Sequence, residues 1–517
     1  MNAPTRRWAL RGCAVLAVAL CLTLVAQFWH PVYGLTALIQ LDGPNDDLKI
    51  SAFRTYPVYV HRDTGGYDGL YYAQIAYDPT LRSPELPRAM DNFSYRARRI
   101  LPPALAWLFS AGQPAAIVHV YSVLNVVTWL VVAALLWRLL GATDFRGWLA
   151  WAGVLFSAGA LSSVRLALTD LPMLALLMLA IIAAERARPS TAIAWLATAA
   201  LARETALLGA SGLITRPWIS VKNVLTGAWV AAPLCGWLAY IRWRLGPADS
   251  GWANFTFPLA GYVEKVATTF VDLFNLNDAL LAWTTFFAVV GLTVQAAFIV
   301  SRWRQFHDAW WRIGAAYTGL MAMIGTAVWE GYPGACTRVL LPLTLAFNLL
   351  AHRTRAALAW LILGNLGVGA GFLVLRDFPV NTHELFAGRK GGAATVIEIE
   401  NGWFGAEHTP KHVWSWSAGR AQLVLRTWAD APVQTQFDFG LRSLTPRTVI
   451  LRSAERELWR GQVGEKTTRF SVPLALGPGD TRLEFSTDSP ATRESPHADA
   501  RALAFALYDP RLSVPNP

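Results

Sequence analysis

The sequence predicts a polytopic α-helical membrane protein carrying an antiparallel β-sandwich at its C-terminal end. Three observations lead there. Only 15% of the 517 residues are charged and 54% are hydrophobic, where a soluble domain would carry roughly 25% charged residues. Apolar runs that approach or exceed the ~18 residues of a membrane span recur between residues 9 and 375. Past residue 376 those runs stop, and short stretches with a period of two take over.

Positive charge orients the spans. Arg6, Arg7 and Arg11 place the N-terminus in the cytoplasm, and the apolar run to Phe28 leads outward. That run has the flanks of a signal peptide, but no small-x-small cleavage site follows it and Leu20 before Cys21 does not suit a lipoprotein site. An uncleaved first span is the expectation. Residues 29–99 then form a large outer loop, with short amphipathic helices near 67–77 and 99–110. Further spans follow near 115–140, 147–165 and 171–185, the inward ones ending at Arg138 and Arg146 and at Arg186 and Arg188. The run 191–214 is interrupted by Arg203-Glu204. An ion pair facing lipid at that depth is costly, so two short helices meeting at a polar cavity are expected. Spans near 222–243, 278–300, 311–329, 338–350 and 356–375 bring the total to about 11 of spanning type.

The net charge of +11 sits mostly on arginines in the short loops. This is a topology signal, and no dense basic block with interleaved aromatics points to nucleic acid. Cys13, Cys21, Cys235 and Cys336 lie in or beside apolar segments without a CxxC pair, which argues against a disulfide scaffold or a zinc site. No metal and no cofactor is expected. The chain divides into a membrane domain over 1–375, a linker over 376–395, and an extracytoplasmic β-sandwich over 396–517. In the last, Ala421, Leu423 and Leu425, then Phe470, Val472 and Leu474, then Leu503, Phe505 and Leu507 alternate with their neighbours, and Gly477-Pro-Gly-Asp480 marks a turn. Trp403, Trp414 and Trp416 have two readings, as platforms for sugar rings or as sandwich core.

On this topology the polar residues gather on the outer face. Asp68 lies in the first outer loop, beside Gly69 and near Tyr71 and Tyr72, with Asp63 five residues earlier and Asp46-Asp47 farther back. Arg96, Arg98 and Arg99 close the loop. Arg165 and Asp170 bracket one outer turn, Arg203 and Glu204 occupy another, and Glu330 and Arg338 flank Gly331-Tyr-Pro-Gly334 at a third. A carboxylate there suits proton acceptance from a hydroxyl, and arginines suit a phosphate because their planar fork donates two parallel hydrogen bonds. Asp68 is the expected base, held ionised by a helix start. The six arginines are the expected phosphate ligands, with Asp63, Asp170, Glu204, Tyr71 and Tyr72 in support. Each has a bland counterpart: Asp68 as a helix cap, the loop arginines as headgroup anchors, the Arg–acid pairs as braces of helix ends. Asn92-Phe-Ser94 and Asn254-Phe-Thr256 match the N-glycosylation pattern, as short stretches do by chance.

The stretches Tyr67-Asp-Gly-Leu-Tyr-Tyr-Ala-Gln-Ile-Ala76, Tyr95-Arg-Ala-Arg-Arg-Ile-Leu-Pro102 and Ala200-Leu-Ala-Arg-Glu-Thr-Ala-Leu-Leu208 resemble a bacterial branch of the GT-C superfamily of integral-membrane glycosyltransferases, over residues 9–375. The segment Asp499-Ala-Arg-Ala-Leu-Ala-Phe-Ala-Leu-Tyr-Asp509 is similar to the end of a β domain found on some of them. Members often carry two adjacent acids in the first outer loop, a pattern this chain lacks around Asp68. The resemblance implies a catalytic carboxylate in that loop, a polyprenyl-phosphate sugar donor, a glycan or lipid acceptor, inversion at the anomeric centre, and a place in cell-envelope polysaccharide synthesis at the bacterial inner membrane. Two other readings compete: a flippase for lipid-linked glycans, and a non-catalytic glycan-binding part of a polysaccharide assembly system. A flippase would spread polar groups through the membrane depth, whereas here they collect on one face.

Overall fold

The computed structural model describes residues 3–43, 48–62, 64–141, 144–247, 251–275, 278–379, 381–390, 393–429, 431–493 and 501–513. They form two compact units. One is helical and comprises Met1–Trp29, Leu35–Ile50 and Tyr59–Phe378; the other holds His30–Gly34, Ser51–Val58 and Pro379–Pro517.

Among the described residues of the helical unit, four helices are long and apolar enough to cross a membrane: Arg7–Ala26, Pro114–Leu140, Val221–Leu245 and Ala279–Ser301. The pair Phe145–Leu155 and Ala158–Arg165, bent by 42°, makes a fifth if it is one span. Helix length and composition thus do not confirm the expected count of about 11 spans. The other apolar runs fold into shorter or broken helices, such as Asp170–Glu185, Pro189–Ala202, Ala309–Met323 and Leu341–Arg353. Asp170–Glu185 is buried along most of its length and packs on Pro189–Ala202. The surface helix Val221–Leu245 instead exposes Val224, Trp229 and Trp243. An apolar exterior of this kind fits a lipid surround.

Polar residues start the helices where the loops were expected. Asp144 accepts from the Gly147 amide at 2.8 Å, Asp278 from Leu281 at 3.0 Å and Asp308 from Trp310 at 2.7 Å. As expected, the run interrupted by Arg203 is two pieces, with the helix ending at Ala202 and a 3-10 segment, Glu204–Leu213, beginning after Arg203. One element escaped the search for apolar runs. Ala260–Asn275 is an amphipathic helix whose Glu264, Lys265 and Asp272 interrupt any hydrophobic stretch.

The long loop after the first helix is pinned through Gln74, which has no solvent exposure. Its carbonyl accepts from the Ile50 amide at 2.8 Å, and its amide donates to the carbonyls of Ala89 at 3.1 Å and Leu48 at 3.3 Å. Two distant stretches of loop, around Leu48–Ile50 and Ala89, are thus tied to the helix Asp68–Ile75.

The β unit contains two antiparallel sheets. The first runs Arg456–Val463, Arg447–Ser453, Gly479–Thr487, Arg420–Trp428, Ala393–Ile399, Glu384–Lys390 in spatial order. The second runs Thr468–Leu476, Val433–Arg442, Phe505–Ser513, Val413–Ser417, Glu407–His408. Leu423, Leu425 and Phe485 of the first sheet share one core with Phe437, Phe439, Leu441 and Val472 of the second, which makes the unit a sandwich. Val472, Leu474 and Leu476 point inward while Ser471, Pro473 and Ala475 are exposed, the alternation expected from the sequence. The Gly477-Pro-Gly-Asp480 turn carries the chain from one sheet to the other. Strand Glu384–Lys390 lies in the stretch expected to be linker, because its Glu, Gly, Arg and Lys residues give no strand signal. Trp416 is buried against Leu503 and Ala506, and Trp403 packs edge-on against Phe485 and Phe505, so both serve the core. Trp414 stacks on Tyr508 at 5.6 Å.

Candidate active site

The helix Asp68–Ile75 begins at the aspartate itself, with Tyr67 in extended conformation before it and no side-chain cap. Asp68 therefore sits where the unsatisfied amides of the first turn favour negative charge. Gly69 follows because nothing larger fits: a Cβ there would lie 2.2 Å from the Leu166 carbonyl oxygen. On the far side of the loop, Asn92 caps a short helix by accepting from the Tyr95 amide at 3.0 Å, which aims Arg96 back toward Asp68. Gly331 and Gly334, with φ of 84° and 108°, make the turn that leads to Arg338.

These elements surround a cavity of about 590 Å³, a size that accommodates a small-molecule ligand. Asp68, Tyr71, Arg96, Arg98, Arg99, Arg203, Glu204 and Arg338 line it, so most of the expected residues meet there although the sequence separates them widely. Arg96 donates from Nη1 to Asp68 Oδ1 at 2.7 Å and holds Asp91 with both Nε, at 3.0 Å, and Nη2, at 2.6 Å. Its guanidinium also lies 4.7 Å over the Tyr71 ring. Arg99 donates to Glu204 at 3.2 Å, to the Tyr72 hydroxyl at 2.6 Å and to the Tyr95 hydroxyl at 3.1 Å. Arg98 rests over the Tyr95 ring at 5.4 Å. Arg338 donates to the Tyr67 hydroxyl at 2.6 Å.

Asp170 is wholly buried and takes Arg203 on one oxygen and Arg338, at 3.5 Å, on the other. The expected pairings are thereby exchanged: Asp170 serves Arg203 rather than Arg165, and Glu204 serves Arg99 rather than its neighbour Arg203. Chain neighbours on a broken helix point to different sides, which adjacency in sequence conceals. Arg165 is absent from this cavity's lining and occupies a separate one. Tyr72 lies behind Arg99 and does not line the cavity, and Glu330 is exposed. Asp63, Asp46 and Asp47 fall outside the described residues.

Tyr67, Asp91, Tyr95 and Asn254 are polar lining residues to which the sequence assigns no role. Asn254 donates to the Tyr95 hydroxyl at 3.4 Å. Asp91, five residues before Arg96, was the legible one, since a long guanidinium at that spacing reaches back to a loop acid.

Burial alone would push the Asp68 carboxyl up. The charges of Arg96, Arg338 and Arg99 and the Arg96 hydrogen bond outweigh it and hold the group below its ordinary range. Arg96 is correspondingly raised by Asp91 and Asp68 despite its own burial. The lining thus sets five guanidiniums against the carboxylates of Asp68, Asp91 and Glu204. Among the described residues no cluster of three or more His, Cys, Asp or Glu is placed to hold a metal ion.

No family model matches the chain, and no curated protein does. Among solved structures, the arabinosyltransferase EmbB from Mycobacterium smegmatis is 11% identical over 98% of this chain and 64% of its own, with a TM-score of 0.25. The present chain therefore spans under two thirds of that protein's length. A family 29 carbohydrate-binding module complexed with cellulohexaose is 9% identical over 26% of this chain and 87% of its own, with a TM-score of 0.16. At these scores the functional reading rests on the geometry of the cavity itself.

Proposed function

We propose that this protein is a membrane glycosyltransferase that moves a sugar from a polyprenyl-phosphate donor to an acceptor hydroxyl at the outer face of the membrane. The observation that carries the reading is the cavity in which ionised Asp68 stands among Arg96, Arg99, Arg203 and Arg338. Asp68 accepts the proton of the acceptor hydroxyl. The freed oxygen attacks the anomeric carbon, the bond from that carbon to the phosphate oxygen breaks, and polyprenyl phosphate leaves with the electron pair. Direct displacement from the opposite side inverts the centre. The guanidiniums stabilise the negative charge that grows on the leaving phosphate, where preorganised donors lower the barrier most.

Arg96 is bound to Asp68, which lowers its basicity. A donor phosphate that draws Arg96 toward itself would weaken that bond and make Asp68 a stronger base once the donor is in place. Substrate binding and base activation are then a single event.

The test is to give purified protein a panel of short-chain polyprenyl-phosphate sugars with a lipid extract as acceptor, and to follow release of polyprenyl phosphate by mass spectrometry. Release is expected, falling ~10²-fold or more in Asp68→Asn, the scale for loss of a general base. An Asp68→Asn variant as active as the parent overturns the assignment. A second reading, a glycan-binding component, draws on a pocket of about 280 Å³ in the β unit lined by His412, Arg469, Tyr508 and Asp509. Glycan-array binding by full-length protein, with no donor turned over, would favour it.

A further inference from the structure

Arg165 is a buried cation that makes no ion pair with any described residue. It is 5% exposed, and among the described residues no carboxylate lies within ion-pair distance of it. Its one hydrogen bond to a described residue runs from Nη1 to the Ala37 carbonyl at 3.3 Å, and its guanidinium lies 4.8 Å over the Phe28 ring. The other buried guanidiniums of the helical unit differ. Arg99, Arg203 and Arg338 each have an acid within 3.5 Å. An uncompensated charge in a dry interior is costly, and such a group stays charged where something anionic visits it.

The space beside it has the shape for that. Arg165 lines a cavity of about 210 Å³ whose lining is distinct from that of the Asp68 site. Thr285 lines the same cavity, is 1% exposed, and its hydroxyl has no hydrogen-bond partner among the described residues. Arg376 adds a second cation, already bound to Asp278 at 3.0 Å. Asp377 is the acid of the lining and its charge reaches Arg165, but its side chain is 75% exposed, pairs with Arg376 at 3.4 Å, and makes no ion pair with Arg165. His61 is uncharged: burial and then the field of Arg165 push it down to about 4. The rest of the wall includes Leu281, Ala370, Leu373 and Val374, from helices that also expose Trp283, Phe287 and Phe372. The cavity has a cationic, donor-rich end and an apolar wall on helices with an apolar exterior.

We propose that this second cavity binds the phosphate of an anionic amphiphile, with Arg165 and Thr285 donating to its oxygens and Leu281, Leu373 and Val374 against its first carbons. The site is separate from the one assigned to the donor, and the inference stands whether or not that assignment does. It gives the protein a fixed lipid or a second lipid-linked substrate beside the transfer site.

Native mass spectrometry of the full-length protein in detergent tests it, titrating short-chain phosphatidic acid, the matching phosphatidylcholine, and inorganic phosphate. Wild type is expected to bind the phosphatidic acid. Arg165→Gln and Thr285→Val should each weaken it, the arginine variant by about tenfold or more, the usual result of losing a charge-assisted bond. Arg338→Gln, in the other cavity, should leave this binding intact. Inorganic phosphate bound as tightly as phosphatidic acid would make the ligand free phosphate and overturn the amphiphile. Equal binding of phosphatidylcholine, or unchanged binding in both Arg165→Gln and Thr285→Val, overturns the site. Thr285→Val keeps size and shape, so it decides the matter if Arg165→Gln does not fold.

Discussion

Asp68 and Asp170 are both acids bound to arginines, yet they should fail in opposite ways. Asp68 opens on the cavity, and Asp68→Asn should cut transfer ~10²-fold or more while barely moving the melting temperature. Asp170 is sealed beneath Arg203 and Arg338, so Asp170→Asn leaves two buried guanidiniums uncompensated. Removing one partner of such a pair costs about 3–5 kcal/mol, and thermal melting in detergent should show it. A stable, inactive Asp170→Asn would instead place that acid in the chemistry. The pH profile gives a second check on Asp68. Its carboxyl lies below the ordinary 3.8 because Arg96, Arg338 and Arg99 outweigh burial. A depressed folded value means the ionised form and its stabilisation persist down through 3.8 and are lost only as pH falls through the folded value. The acid limb of kcat/KM should therefore not fall within the range from about pH 5 upward, where an unperturbed carboxylate is already ionised. Arg96→Gln removes the strongest opposing charge and should raise the limb. An acid limb near neutral pH in the parent protein would point to a different base.

At the scale of elements, the site depends on how tightly the start of helix Asp68–Ile75 seats against the chain near Leu166. Gly69→Ala would drive a methyl to 2.2 Å from a backbone oxygen that cannot swing aside. The helix must shift, which costs about 1–3 kcal/mol by overpacking and displaces Asp68 with it. Both melting temperature and transfer rate should fall, and a fully active Gly69→Ala would mean the helix start tolerates movement. This also shows what the sequence could reveal. Asp68 and Arg96, Arg98 and Arg99 were legible because they share one polar loop, where a few residues of chain suffice to bring them together. The break at Arg203 was legible from the cost of charge in an apolar run. Arg338 reaches the same cavity only through tertiary packing, and the Arg203–Asp170 and Arg99–Glu204 pairings follow from side-chain direction, which spacing alone does not carry. The helix Ala260–Asn275 and the strand Glu384–Lys390 went unseen because neither carries an unbroken apolar signal.

At the scale of the whole molecule, the charge bias predicts a cytoplasmic N-terminus and a β unit outside. Alkaline phosphatase fused after Leu375 should be active and fused after Arg188 inactive; the reverse would remove the outer-face reading. The division of labour between the units has its own test. Every residue lining the Asp68 cavity lies within the first 378 residues, so a chain ending at Phe378 retains the whole candidate site. It does not retain everything the loop after the first helix needs. His30–Gly34 belongs to the β unit, where His30 pairs with Glu384 at 3.0 Å and Tyr33 meets Trp428 edge-on at 5.5 Å. Tyr33 is 4% exposed in the full chain. Truncation strips its partners away, and local opening is what exposes a backbone to protease. Chymotrypsin should therefore cleave the truncated protein after Tyr33 much faster than the full chain, while hydrolysis of a short-chain donor survives. A truncated protein that stays folded and loses donor hydrolysis would mean that the β unit supplies part of the chemistry. One that keeps Tyr33 protected would mean the loop holds its shape without the sandwich.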